Sequence, residues 1–176
     1  NLSASVEVTV TDAPPSGNSM TFKQGVSPDA NYTHEGLWVQ NNDYTNNLDR
    51  YDMQAGVRRG LLSWDISSLP VGATVTGISL KMHNKDAWNS GYVSDLEFRR
   101  STASTPFTES SATWADHAEA YDATADGLLG TIEADGGSYA DGTEWDVVTT
   151  SNFVDAANDA LAGNGRLDMV ILANTT

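Results

Sequence analysis

Apolar and polar residues alternate along this chain in short stretches, separated by turn-forming residues. Val6, Val8 and Val10 alternate with polar neighbours over 5–11. That is the period of a strand with one buried face. Asp12, Pro14, Pro15 and Gly17 then break the pattern. The clearest strand signal lies at 57–66, where Leu62, Trp64 and Ile66 share one phase and Leu61, Ser63 and Asp65 the other. A turn over 67–72, containing Pro70 and Gly72, leads to a second strong strand over 74–82 with Val75, Ile78, Leu80 and Met82 apolar. Strands adjacent in sequence usually pair, so these two are expected to be antiparallel neighbours. Shorter strands are expected over 20–23, 36–40, 92–100, 127–133, 143–148 and 166–172. One helix is expected over 151–162, because Phe153, Val154, Ala157 and Leu161 fall on one helical face. Thr150 or Ser151 can cap its start, and Gly163 can end it. Trp64 and Trp114 are assigned to the core.

About nine short strands at this spacing point to an all-β sandwich or barrel. The connections 41–52 and 102–127 are long and poor in apolar periodicity. They favour a jelly-roll-like antiparallel β-sandwich, with one short helix near 151–162, over an up-and-down meander. The 176 residues show no internal repeat and fit a single domain over 1–176.

Charge narrows the partners. Nine basic residues face 24 acidic ones, for a formal net charge of −15. Nucleic acid and anionic lipid need Lys and Arg to neutralise phosphates, so both are expected to be excluded. A neutral polysaccharide, a cation or a basic partner remains open, and so does plain solubility as the reason for the acidity. There is no cysteine, which rules out disulfides, thiolate metal sites and cysteine nucleophiles. No apolar run reaches about 18 residues, so no membrane insertion is expected. Asn1-Leu2-Ser3-Ala4 lacks the basic start and apolar stretch of a signal peptide; a secreted form would be the mature one.

The segment Leu61-Leu62-Ser63-Trp64-Asp65-Ile66-Ser67-Ser68-Leu69-Pro70-Val71-Gly72-Ala73-Thr74-Val75 resembles the central motif of DNRLRE-type domains. Thr76-Gly77-Ile78-Ser79-Leu80-Lys81-Met82 resembles the strand that follows it there. Phe107-Thr108-Glu109-Ser110-Ser111-Ala112-Thr113-Trp114 is similar to a further family signature, with Phe107 where the family usually has Trp. Asp29-Ala30-Asn31-Tyr32 and Leu37-Trp38-Val39 match an upstream segment. With gaps, the resemblance runs from about residue 20 to 172. It implies a secreted or cell-surface module of jelly-roll type, related to carbohydrate-binding modules on polysaccharide lyases. Alginate is a poor fit, because basic residues that would hold a uronic acid are scarce. The family also tends to finish with one more strand after a Gly-rich segment, while this sequence stops at Thr176. A final strand supplied from beyond Thr176, or by a neighbouring copy in donor-strand fashion, would fill that place.

Catalysis finds little support in the residues. His34, His83 and His117 are far apart and match no metal-ligand spacing. No nucleophile elbow or phosphate loop is present. A close carboxylate pair is expected by chance among 24 acids. A non-catalytic protein is therefore expected.

Sugar binding needs flat aromatic faces with amides or carboxylates beside them. Trp88, Tyr92, Tyr44, Tyr51 and Trp38 meet that need on or beside polar loops, with Arg50 among them. The competing reading is that these rings pack over a loop base or strand edge. Calcium takes about six to eight oxygen ligands. Asp43, Asn47, Asp49 and Asp52 concentrate such oxygens, and 135–141 is a second oxygen-rich stretch. A calcium ion there would be structural, pinning a loop without apolar anchors. The competing reading is a solvated Asn/Asp turn. Three Asn-X-Ser/Thr sequons, at Asn1, Asn31 and Asn174, are expected by chance in so Asn- and Thr-rich a chain.

The sequence thus predicts a non-catalytic, secreted or extracellular module that binds a polysaccharide or attaches to a surface, alongside a linked catalytic domain or copies of itself. The rival reading is a structural subunit of an extracellular filament, surface layer or virion, assembling through sheet edges.

Overall fold

A computed structural model describes residues 2–11, 18–23, 34–42, 45–46, 55–84, 95–107, 111–133 and 142–174. The strands are β1 (Leu2–Thr11), β2 (Asn18–Lys23), β3 (His34–Gln40), β4 (Thr45–Asn46), β5 (Arg58–Asp65), β6 (Thr74–Asn84), β7 (Leu96–Arg100), β8 (Leu128–Ile132), β9 (Glu144–Asp146), β10 (Val148–Thr149) and β11 (Arg166–Ala173). One helix, α1 (Ser151–Ala162), precedes β11. A small sheet has the order β2-β1-β6-β9 and a large one β10-β8-β7-β11-β5-β3-β4. Every pairing is antiparallel. The fold is an all-β sandwich with one short helix.

Alternation explains how the sheets meet. Val8, Val75, Leu80 and Met82 of the small sheet, all almost fully buried, face Leu62, Trp64, Phe98, Leu129, Leu167, Met169 and Ile171 of the large one. The helix adds Phe153, Ala156 and Ala157 to the same core, with Val154 and Leu161 packed at its border. Each large side chain buried this way contributes about 1.5–3 kcal/mol. The helix starts as the sequence predicts, but without the predicted cap. Thr150 sits at the N-cap, yet its hydroxyl donates to the Leu128 carbonyl at 2.6 Å and makes no capping bond.

The expected pairing of the two strongest strands does not occur. β5 lies in the large sheet and β6 in the small one, so the turn between them crosses the sandwich. Both strands have an apolar face that needs the same core, and two sheets facing each other satisfy both at once. The crossing turn is fastened by Leu69, which is buried and donates its N–H to the Ile66 carbonyl, and by an Ala73 N–H bond to Pro70.

That arrangement leaves one side of β6 to be covered by other groups. β9 pairs only with Lys81, Met82 and His83. Farther along, the Val147 N–H donates to Leu80 O, and the Thr149 hydroxyl to Ile78 O. At Val75, Asn158 of α1 imitates a strand residue. Its Oδ1 accepts the Val75 N–H at 2.9 Å, and its Nδ2 donates to the Val75 carbonyl at 3.0 Å. Buried backbone groups need partners, and here a helix side chain supplies them.

Candidate functional site

β5 and β11, in the middle of the large sheet, are buried on both faces. Their outer face carries Leu61, Ser63, Val170 and Asp168 and is covered in part by residues 101–107 and 111–121, a stretch without apolar periodicity. This segment is closed at its base. Ser101 bridges Tyr121, the Thr102 N–H donates to Ala120 O, and the Asp122 N–H to Arg100 O. Phe107, Ala112 and Ala118 of the segment join Val39, Leu61 and Val170 in a second apolar cluster.

Inside the segment, residues Trp114–Ala118 form a single π-helical turn. Thr113 caps it, its Oγ1 accepting the Asp116 N–H at 3.2 Å while its hydroxyl donates to the Asp116 carboxylate at 3.0 Å. The turn presents Trp114, and the return of the chain presents Tyr121; both are half-buried. The Arg59 side chain, from the start of β5, contacts both rings. Its guanidinium carbon lies 4.6 Å from the centre of the Trp114 ring and 5.2 Å from that of Tyr121. Arg59 Nη1 also donates to Ala118 O at 2.8 Å. Cation–π contacts of this kind contribute roughly 0.5–2 kcal/mol each. Lys81, Arg99, Arg100 and Arg166 are each paired to a carboxylate, whereas Arg59 is held by rings and a carbonyl.

A second arginine fixes the other end of the segment. The Arg166 guanidinium carbon is 5.8 Å from the Phe107 ring centre, and Nη2 donates to Ser63 Oγ at 2.7 Å and to Phe107 O at 3.3 Å. Asp168 balances its charge. The outer layer therefore rests on a small apolar cluster and two arginines.

The opposite outer face, on the small sheet, is different. Glu7, Thr9 and Ser79 are exposed there, and Lys81 bonds Glu144 with Asp146 and His83 nearby. The Glu144 carboxyl is held below its ordinary value by its hydrogen bond from Lys81, and Lys81 is raised by the same bond. The aromatic ring on this side, Trp145, packs against the core. Among the described residues with described side chains, Trp114 and Tyr121 are therefore the rings best placed for stacking.

Most sequence-predicted site residues lie outside the described residues: Trp88, Tyr92, Tyr44, Tyr51 and Arg50, and the calcium candidates Asp43, Asn47, Asp49 and Asp52. Trp38 is on β3, opposite Asn46 and Gly60, with its side chain outside the description. The Asn41 N–H donates to Val57 O at 3.0 Å. This closes the base of the 41–57 connection beside Arg58 and Arg59. No three His, Asp or Glu side chains gather as a metal site among the described residues. Trp114, assigned from sequence to the core, belongs to the outer cluster instead. Arg59 and Tyr121 were not singled out; the available signal was an Arg-Arg pair opening the strongest strand of an acidic chain. Comparison with protein-family models, curated proteins and solved structures found nothing that matches this chain.

Proposed function

We propose that this chain is a non-catalytic glycan-binding or surface-attachment module, working outside the cell. The observation that carries the reading is the pair of half-buried rings, Trp114 and Tyr121, set on a rigid sheet by Arg59 at the foot of the 41–57 connection. Rings immobilised before binding lose little entropy on stacking against a pyranose. The 41–57 connection carries in its sequence Tyr44, Arg50, Tyr51 and a run of amides and carboxylates, residue types suited to sugar hydroxyls. Calcium at Asp43, Asn47, Asp49 and Asp52 would order that connection. The DNRLRE-type motifs support the same reading.

Affinity electrophoresis of the whole chain on a panel of neutral and acidic polysaccharides tests it. Retardation by at least one glycan is expected, reduced about tenfold or more in affinity by Trp114→Ala; Trp88→Ala reports on the loop rings separately. Free migration on every glycan would end the proposal. For calcium, the expected result is a melting temperature that drops in chelator.

One observation favours assembly as a second reading. β4, β9 and β10, at three of the four sheet edges, are two or three residues long, while β2 at the fourth has six and among the described residues pairs only with β1. Long open edges recruit further strands. A chain that stays monomeric by size-exclusion chromatography at all concentrations would remove this reading.

A further inference from the structure

We infer that the end of the sandwich where β5 crosses to β6 is a self-association surface, in which Val71 of each copy seats in a hollow of the other. Val71 is 106% exposed, more open to solvent than in an extended chain, while Leu69 just before it is buried. The turn that carries Val71 is fixed. The Ala73 N–H donates to Pro70 O at 3.0 Å, and Gly72 has φ 81°, the left-handed value that the third position of a type II turn requires and glycine favours. Val71 stands at the corner of that turn, an apolar side chain held outward.

Beside it lies a hollow of about 490 Å3. One wall is the turn itself, with Leu69 and Val71; the other is the end of α1 and the chain that follows it, with Leu161, Ala162 and Gly163. The walls are tied together. The Gly165 N–H donates to Ala160 O and its carbonyl accepts the Ile66 N–H, both at 2.8 Å. Gly165 has φ 77° and packs so closely on Ser67 that a β-carbon there would lie 2.7 Å from the Ser67 Cβ. Asn158, which also lines the hollow, is bonded to both backbone groups of Val75. Knob and hollow are therefore formed before any contact, and little order is lost on docking.

Charge selects the occupant. The chain carries a formal −15, and 19% of its residues are charged, yet no charged side chain lines the hollow among the described residues. Two copies repel where their carboxylates would meet, and stripping water from those carboxylates adds a further cost. At this end they touch without either penalty. A basic partner, which the net charge favours elsewhere, finds no carboxylate here to pair with. Knob and hollow belong to one patch, so a two-fold axis seats both valines at once and closes the assembly as a dimer. The surface uses no residue of β2 and neither stacking ring, so it rests on neither reading of the function.

Sedimentation-velocity ultracentrifugation of the whole chain, from about 10 µM to about 1 mM, should show monomer passing to dimer. Val71→Asp and, from the opposite wall, Ala162→Arg should each weaken the dimer about tenfold or more. Both positions are exposed, so both variants should fold. Nuclear magnetic resonance of the wild type needs no variant: the amides of Gly72, Gly163 and Gly165 should shift on dilution in step with the loss of dimer. A wild type that stays monomeric at about 1 mM overturns the proposal. So does a dimer that both substitutions leave intact, or one that dissociates without moving those glycine signals; either would use another surface, such as the edge of β2. A monomer whose Gly72 and Gly163 amides respond to added tert-butanol also overturns it, and makes the hollow a small-molecule site.

Discussion

On its inner face the large sheet meets Val8, Val75, Leu80 and Met82 from regular strands, and Phe153 from a helix. On its outer face it meets Phe107, Ala112 and Ala118 from an irregular segment, held by Arg59 and Arg166. The inner contact draws on many apolar side chains at once, so no one anchor decides it. The outer contact has a smaller apolar cluster and a few directional bonds, and each anchor matters locally. Stability in such a molecule is uneven, with the outer layer able to open while the sandwich persists.

Substitutions can break or sharpen that contrast. The largest effect is expected from Trp64→Ala, which empties a fully buried inner position; global stability should fall by about 3–5 kcal/mol in urea denaturation. Asn158→Ala comes next. It strips Val75 of partners for both its N–H and its carbonyl, and a loss of about 2 kcal/mol is expected in the same measurement. A value near zero would mean that the β6 edge needs no surrogate. Arg59→Ala should cost about 1–2 kcal/mol. Its mark should be faster hydrogen exchange in 111–121, with β5 and β11 little changed. If it unfolds the whole chain as Trp64→Ala does, the two faces are not independent. The smallest effect is expected at Glu97, on the outer side of β7. Burial pushes its carboxyl up, but hydrogen bonds from Asn174 and Arg99, with the charge of Arg99, outweigh this and hold it below the ordinary 4.5. A lowered carboxyl stabilises the fold above that value and stops doing so as the pH falls through the folded one. Asn174→Ala should therefore cost below about 1 kcal/mol at neutral pH. Its deficit against the wild type should shrink as the pH drops below 4.5.

Alternation made the inner face legible from sequence. Leu62, Trp64 and Ile66, and Leu167, Met169 and Ile171, are in the phases that the pattern assigns. The helix matches its expected span, 151–162, because an apolar face at helical period is a strong signal. Which strands pair was less legible, since both β5 and β6 satisfy the same pattern whether side by side or face to face. The outer layer was not legible from periodicity. Phe107, Trp114, His117 and Tyr121 have no period, and their partners Arg59 and Arg166 lie tens of residues away in the chain. Gly127 belongs with them: a β-carbon there would lie 2.2 Å from Asp122 O. Nothing in the local sequence announces so tight an approach. The candidate stacking site, built from this layer, was hidden for the same reason; of the rings that sequence did single out, Trp38 is on β3 and the others lie outside the described residues.

β11 lies between β7 and β5, paired to both. Among the described residues it alone joins β10-β8-β7 to β5-β3-β4. During synthesis every other strand of the large sheet leaves the ribosome before the strand that unites them. Any half-sheets that form before Arg166–Ala173 arrives would have facing edges free and open to pairing with the wrong strand.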